Sequence, residues 1–577
     1  MDFAGISQVL LLVVLLTVLT PVLGGYMAKV FTGQRVLFSP VLGPVERGTM
    51  KLFGAQGAKE QNWKSYAGSL FAFSAVSWLL LYLILNTQSA HPWNPLNLGS
   101  APWDVNFNTT SSFVANTNWQ FYAGETTLSY FSQMVGLTVQ NFVSAAVGIS
   151  VAIALIRGIV SRSGDSLGNF WQDMVRGLVY VLVPLSILTT IFFISQGVIQ
   201  NLGDYVDLNT LVGNQQTLAM GPNASQEAIK LLGTNGGGFF NVNSAMPFSN
   251  PSGLTNFVQV LAILIIPAAL TATFGRMVGS RRQGWAIYGA MMGLFLVAVA
   301  IVYLAEANGS PAQHLAGIAG GNMEGKEIRN GIGGSSLFAV VTTVASCGAV
   351  NAAMESMTGL GGAIPMANMM TGEVIFGGVG AGLYGMLMMV LLAVFLAGLM
   401  VGRTPEYLGK RIGAREIKLV IVAALVTPLT MLASTGLAMA TKWGAPSIYN
   451  GGPQGFSETL YAYVSQGANN GSAFAGYTGF LQPNGNNVGS FGITFADILG
   501  GLVMLTGRFV PILAILAVAG ALAGKRVTPE GAGTFRTDTP TFVFLLIGVI
   551  LLVALLTFVP ALLLGPIVQA LSEGTFS

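Results

Sequence analysis

The stretch SQGANNGSAFAG, Ser465 to Gly476, places small, polar and glycine residues between two long apolar runs. Three other stretches occupy the same kind of position: VANTNWQ from Val114, GTNGGGF from Gly233 and ASCGAVN from Ala345. The fold turns on what four such interruptions do in so apolar a chain.

Of 577 residues, 53% are hydrophobic and only 8% are charged. A soluble domain carries roughly 25% charged residues, so this composition calls for lipid as the solvent. The net charge of +3 is too small to point to nucleic acid. A single cysteine, Cys347, excludes an internal disulfide framework and a multi-cysteine metal site. Two histidines, His91 and His314, leave little scope for a histidine-rich metal centre. The N-terminal stretch has Asp2 where a secretory signal carries Lys or Arg. It is expected to be the first spanning helix.

A helix needs about 20 mostly apolar residues to cross the hydrocarbon core. Ten runs qualify: Ile6–Met27, Tyr66–Leu85, Phe131–Ile156, Val175–Val198, Leu254–Val278, Trp285–Leu304, Val374–Val401, Ile417–Ala440, Thr494–Leu522 and Thr541–Ile567. Pro184, Pro267, Pro428 and Pro511 lie inside these runs, and bundle packing can re-satisfy the backbone groups they free. Basic residues cluster in the odd-numbered loops, among them Lys29, Arg35, Arg157, Arg281, Arg403, Lys410 and Lys525. The even-numbered loops carry only Lys230, Lys326, Arg329 and Lys442. By the positive-inside rule, the odd loops should be cytoplasmic, with both termini and the four polar motifs outside.

Each even loop holds one motif, and the markers Asn116, Asn235, Cys347 and Asn469 are nearly evenly spaced. A regular period indicates a repeat. Upstream of three motifs a serine (Ser225, Ser335 or Ser457) is placed to cap a short apolar stretch. These stretches are too short to span; they are either amphipathic surface helices or re-entrant half-helices, and the position shared by four copies favours the second. The first copy, TTSSFVANTNWQ, is shorter and carries the weakest signal by itself. Non-helical backbone at membrane depth must be buried in protein or line a watery path. Its carbonyls can be satisfied by a dehydrated monovalent cation. Glycine permits the φ angles this requires, and helix C-termini add negative potential.

Helix, half-helix, loop, helix, four times over, resembles the potassium-transporter superfamily. NTNWQ at Asn116–Gln120, GTNGGGFFNVNSAMPFSNP at Gly233–Pro251, SCGAVNAAM at Ser346–Met354 and GANNGSAFAG at Gly467–Gly476 resemble the potassium-binding A subunit of the Kdp potassium-transporting ATPase family. The resemblance covers essentially the whole chain. It implies an all-α integral membrane protein with ten transmembrane helices. These would divide into an N-terminal helix and loop (1–64), pore repeats 65–173, 174–284, 285–416 and 417–522, and a C-terminal helix (523–577). It implies a non-catalytic subunit in a bacterial inner membrane that captures external potassium and passes it to a P-type ATPase subunit, with two small membrane subunits completing the complex. ATP would be used by the partner, and potassium would be the transported ion. Carried over by motif, the filter would comprise Asn116, Thr117 and Asn118; Thr234, Asn235 and Gly236; Ser346, Cys347 and Gly348; and Asn469, Asn470 and Gly471. Gln120 would flank it, and Glu373 would lie near the vestibule.

Other signals read more plainly. GAGLYG at Gly380–Gly385 fits a dinucleotide fingerprint only by letters, since it lies in a spanning run and lacks a preceding strand. GALAGKR at Gly520–Arg526 lacks the spacing and the final Ser or Thr of a phosphate loop. No DKTGT phosphorylation motif is present. Cys347 is expected to contribute its carbonyl and to pack its small side chain. Glu373 is expected to open the seventh helix and attract cations. Asp497 lies near the outer end of the ninth run, placed to cap it or attract cations. Arg508, an ionisable group within a spanning run, is a candidate gate or ion block, with snorkelling as the competing account. Two rival functions fit less of the sequence. One is a stand-alone potassium channel or secondary cation transporter of the same superfamily. The other is a membrane enzyme, for which the even loops hold few acids and histidines.

Overall fold

The computed structural model describes residues 3–57, 59–162, 164–372, 374–479, 491–529 and 535–572. Among them, ten helices are long and apolar enough to cross a membrane: Gly5–Phe31, Trp63–Asn86, Ser132–Val160, Phe170–Ser195, Gly253–Met277, Arg281–Leu315, Ala381–Val401, Ala414–Ala440, Thr494–Ala523 and Pro540–Leu571. Each overlaps one expected run. Pro267, Pro428 and Pro511 sit inside continuous helices.

Burial separates the spans into a centre and a rim. The third span is 83% buried in its most apolar window and the fifth 72%, whereas the first is 17% buried and the eighth 22%. The rim spans expose Leu10, Val14, Val18, Leu425 and Leu429, as helices facing lipid must. The first span packs along the fifth, where a Cβ at Gly24 would lie 2.3 Å from Ala269 O. Such close backbone approach through small residues is how helices associate where lipid removes the hydrophobic drive.

Four shorter helices stand between the paired spans: Trp103–Val114, Asn223–Leu232, Gly331–Val344 and Gly452–Gly467. At 1.5 Å per residue, the longest, at 16 residues, cannot cross a core of about 30 Å. All four are nonetheless largely buried. The first is as regular as the others, with 12 residues, contrary to its sequence. Its Asn106, Asn108, Thr109, Thr110, Ser111 and Ser112 are buried against protein, so polarity does not mark it as a surface loop. The serines expected as caps lie inside the helices. The actual cap positions are Pro222, Asn330 and Gly451.

The seventh span departs from expectation at its start. It begins at Ala381, not Val374, because Gly372 and Gly380 take φ of +80° and +85° and break the helix. The chain from 374 to 380 is non-helical and buried. A separate helix, Gly359–Met370, precedes it. Glu373 lies outside the described residues, and the helix it was expected to open starts beyond it.

Several basic residues counted as loop charge are instead structural. Lys410 is buried, and its ammonium donates to Gly158 O and Leu522 O. It thereby caps the final turns of the third and ninth spans, where carbonyls lack partners. Lys326 pairs with Glu306 at 2.7 Å with both side chains fully shielded. Glu306 also accepts from Asn322 Nδ2, Thr358 N and Thr358 Oγ1. Lys326→Met would strand that carboxylate without a counter-charge. It should cost about 3–5 kcal/mol, read as a lowered melting temperature of the purified protein.

Candidate functional site

All four short helices end in the same way. The residue after each C-cap is left-handed: Asn116 (φ +65°), Thr234 (+46°), Ser346 (+49°) and Asn469 (+57°). The next residue donates its N–H to the carbonyl five back: Thr117 to Ser112, Asn235 to Lys230, Cys347 to Thr342 and Asn470 to Ser465. This is the Schellman closure of a helix C-terminus, for which glycine is the usual left-handed residue. None of the four is glycine. A β-branched residue at positive φ, as at Thr234, is a true outlier. Such strain costs about 1–3 kcal/mol per residue and gathers at functional sites.

The third residue of each loop is left-handed again: Asn118 (φ +60°), Gly236 (+116°), Gly348 (+71°) and Gly471 (+99°). A strand sends successive side chains and carbonyls to alternate sides. Alternating left-handed and ordinary residues lets successive carbonyls face one way, as a selectivity filter requires. The structural register therefore aligns Thr117 with Asn235, Cys347 and Asn470. The sequence markers had mixed first and second positions.

The loops meet in a closed ring. A Cβ at Gly236 would lie 2.2 Å from Cys347 O, one at Gly348 2.4 Å from Asn470 O, and one at Gly471 2.0 Å from Thr117 O. Each glycine thus lets its loop touch a middle-position carbonyl of the next. The first loop breaks the pattern with Asn118, whose Nδ2 donates to Asn141 Oδ1 at 2.6 Å. Here side chains join the loops instead. Asn116 Nδ2 donates to Thr234 O at 3.1 Å, and Asn235 Nδ2 donates to Asn116 Oδ1 at 2.7 Å. Asn469 Nδ2 reaches Thr117 Oγ1 at 2.8 Å, and Asn470 Nδ2 reaches Thr342 O at 2.9 Å. The twelve sequence-derived residues are brought together, and no carboxylate is among them.

Gln120 spans two loops: its Oε1 accepts from Gly238 N at 2.9 Å. Above the ring, a bowl of about 680 Å³ is bordered by Asn118, Gln120, Gly237, Gly348, Gly471 and Glu355. Behind its rim, burial and then the adjoining Glu355 carboxyl push Glu458 up to about 7. On the opposite side a cavity of about 90 Å³ starts at Asn469 and is lined by Thr371, Gly372 and Arg508. Arg508 is buried and has no ion-pair or hydrogen-bond partner among the described residues. The segment 374–380 runs beside this cavity, and Val379 N donates to Thr234 Oγ1 at 2.7 Å. Sequence reasoning took this segment for helix. Its glycines, Gly377, Gly378 and Gly380, were the signal that could have revealed it. Asp497, expected as a cap or cation attractor, is wholly buried, and among the described residues its carboxylate oxygens have no hydrogen-bond partner. It does not join the ring.

Cys347 is fully buried, and its carbonyl, not its sulfur, lies against the neighbouring loop. Cys347→Ala should therefore keep half-saturating potassium within about threefold of wild type, since it removes only a small apolar group. Potassium-dependent uptake in a deletion host checks this.

The spans and the ring together define a multi-pass membrane protein of ion-pore architecture, with backbone oxygens gathered where four helix C-termini converge. Comparison with known proteins is specific. The chain belongs to the potassium-transporting ATPase A subunit family, whose model matches residues 10–571. A potassium-transporting ATPase potassium-binding subunit from Methylobacterium nodulans is 55% identical over 572 residues, covering 99% of this chain and 98% of that protein. Its counterpart from Brucella anthropi is also 55% identical, covering 99% of both chains. Among solved structures, the potassium transporter TrkH from Vibrio parahaemolyticus aligns at 12% identity and a TM-score of 0.49, over 77% of this chain and 84% of that one. That likeness is too remote to carry an argument.

Proposed function

We propose that this chain is the potassium-binding and translocating subunit of an ATP-driven potassium uptake complex. It takes potassium from the bowl into the four-loop ring and releases it through the cavity beside Arg508. The observation that carries this reading is the paired left-handed backbone at four equivalent loops, closed into a ring by Gly236, Gly348 and Gly471. Dehydrated potassium needs several oxygen ligands that bind weakly enough to let it leave. Main-chain carbonyls meet that need better than carboxylates. Asn116, Thr117, Asn118, Thr234, Asn235, Gly236, Ser346, Cys347, Gly348, Asn469, Asn470 and Gly471 form the filter in this reading, with Gln120 bracing its rim.

The division into four pore units, 65–173, 174–284, 285–416 and 417–522, flanked by 1–64 and 523–577, belongs to the same proposal. ATP hydrolysis resides in a P-type ATPase partner, and two small membrane subunits complete the assembly. This chain contributes no catalytic residues. The complex lies in the bacterial inner membrane with the bowl and both termini outside, as the basic odd-numbered loops favour. Affinity purification from native membranes tests the assembly. A P-type ATPase should co-purify and hydrolyse ATP in response to potassium. A lone chain that conducts or transports potassium unaided would contradict it.

A further inference from the structure

The second short helix carries a buried ion pair that the ring does not use. Glu227 and Lys230 lie one turn apart on Asn223–Leu232, with Lys230 Nζ 2.7 Å from Glu227 Oε1. Their side chains are 1% and 0% exposed. Burying both charges is costly, and such a pair is poor evidence of stabilisation by itself. The ammonium has further partners. It donates to Asn243 Oδ1 at 2.7 Å and to Gly237 O at 3.2 Å.

Gly237 directly follows Gly236, the last ring residue of its loop. Its carbonyl also accepts from Asn243 Nδ2. A carbonyl oxygen offers two lone pairs, so both are occupied and neither is left for an ion. Asn243 Oδ1 reaches Val350 N at 3.4 Å as well, which ties the same hub to the third loop. In the first loop the corresponding carbonyl, Trp119 O, accepts from the neutral Ser112 Oγ at 3.0 Å. Only the second loop among these two uses a full charge for the task.

We infer that Lys230 is a positioning residue for ion selection. Its ammonium withdraws the Gly237 carbonyl, so the ion-binding backbone of the second loop ends at Gly236. Glu227 cancels the positive charge that would otherwise repel potassium there. This rests on the reading of the ring as a potassium filter. Two separable effects follow. Without the ammonium, one lone pair of the Gly237 carbonyl is freed, only Asn243 Nδ2 still holds it, and the loop can open for a larger ion, so discrimination against rubidium falls. Without the carboxylate, an unneutralised ammonium stands next to the ring, so potassium binds more weakly while selectivity is kept.

The test uses the assembled complex and reads half-saturating potassium and rubidium from ion-stimulated ATP hydrolysis, with melting temperatures beside them. Glu227→Gln should raise half-saturating potassium about tenfold through uncompensated charge and leave the rubidium-to-potassium ratio unchanged. Lys230→Met should cut discrimination against rubidium about fivefold. Neutral replacement of a whole buried pair is usually tolerated. The double variant, Glu227→Gln with Lys230→Met, should therefore melt near wild type, recover potassium affinity and keep the relaxed selectivity. A stable double variant with the wild-type rubidium-to-potassium ratio overturns the proposal. So does a parallel loss of potassium and rubidium affinity that tracks melting temperature in all three. A wild-type complex that does not distinguish the two ions overturns the filter reading instead.

Discussion

Gly236→Asp is expected to raise the potassium concentration for half-maximal uptake at least tenfold and to weaken discrimination against rubidium and sodium. Two costs combine. Gly236 holds φ at +116°, and a Cβ there would fall 2.2 Å from Cys347 O. Backbone strain of this kind is worth about 1–3 kcal/mol, and the clash must be relieved by moving one loop away from the next. The added carboxylate then places a fixed charge among neutral oxygens, which replaces graded carbonyl coordination with one strong ligand. A cation held that way leaves slowly. Uptake assays over a potassium series, repeated with rubidium, measure both effects. Unchanged affinity and selectivity would remove Gly236 from the ring that selects the ion. Gly348→Ala offers a charge-free comparison, since its Cβ would meet Asn470 O at 2.4 Å.

The second large effect is expected at Arg508. Its guanidinium lines the cavity that begins at Asn469, on the path a potassium ion takes in the proposed reading. It approaches Gly148 closely, since a Cβ there would lie 3.2 Å from Arg508 Nη2. Two like charges about 8 Å apart repel by about 2 kcal/mol at an effective dielectric of roughly 20. That is a barrier of about 30-fold to passage. Arg508→Gln should lower it, so passive potassium leak through the complex in liposomes should rise by about that factor without ATP. A role in snorkelling alone predicts no change in leak. A charge-retaining Arg508→Lys should leak far less than Arg508→Gln, which separates charge from packing.

How much of this was legible in the sequence depended on which physical signal each part gives. The ten spans were, because lipid demands long apolar runs and Leu, Val and Ile supply them. Three short helices were legible because an apolar stretch led into a glycine- or asparagine-rich motif. The remaining one, Trp103–Val114, was expected only from the fourfold repeat, because its buried Asn, Thr and Ser residues carry the composition of an exposed loop. The break at 374–380 was hidden by its apolar residues, Val374, Ile375, Phe376 and Val379, which satisfy a hydropathy window whether helical or not. Of its three glycines only Gly380 is left-handed, at φ +85°, and Phe376 is left-handed beside it at +46°.

Charge was read least well. Counting basic residues treats each as solvated, yet Lys230, Lys326 and Lys410 are buried among carboxylates and carbonyls. Sequence spacing cannot show this, since Lys410 meets carbonyls of two helices distant in the chain. The ring residues were legible as motifs, and their four triplets stand in the register expected; the spacing markers did not, since Asn116 and Asn469 are first positions whereas Asn235 and Cys347 are second. The hydrogen bond each middle residue sends five residues back puts Thr117 and Asn470, not the markers Asn116 and Asn469, level with Asn235 and Cys347.

The most direct test of the account is a thallium anomalous difference map of the complex. Thallium substitutes for potassium and scatters strongly. The account predicts a peak on the common centre of the four loops, within coordination distance of the main-chain oxygens of Thr117, Asn235, Cys347 and Asn470. A map with no peak there, or with thallium held only by carboxylates such as Glu355 or Asp497, would contradict it.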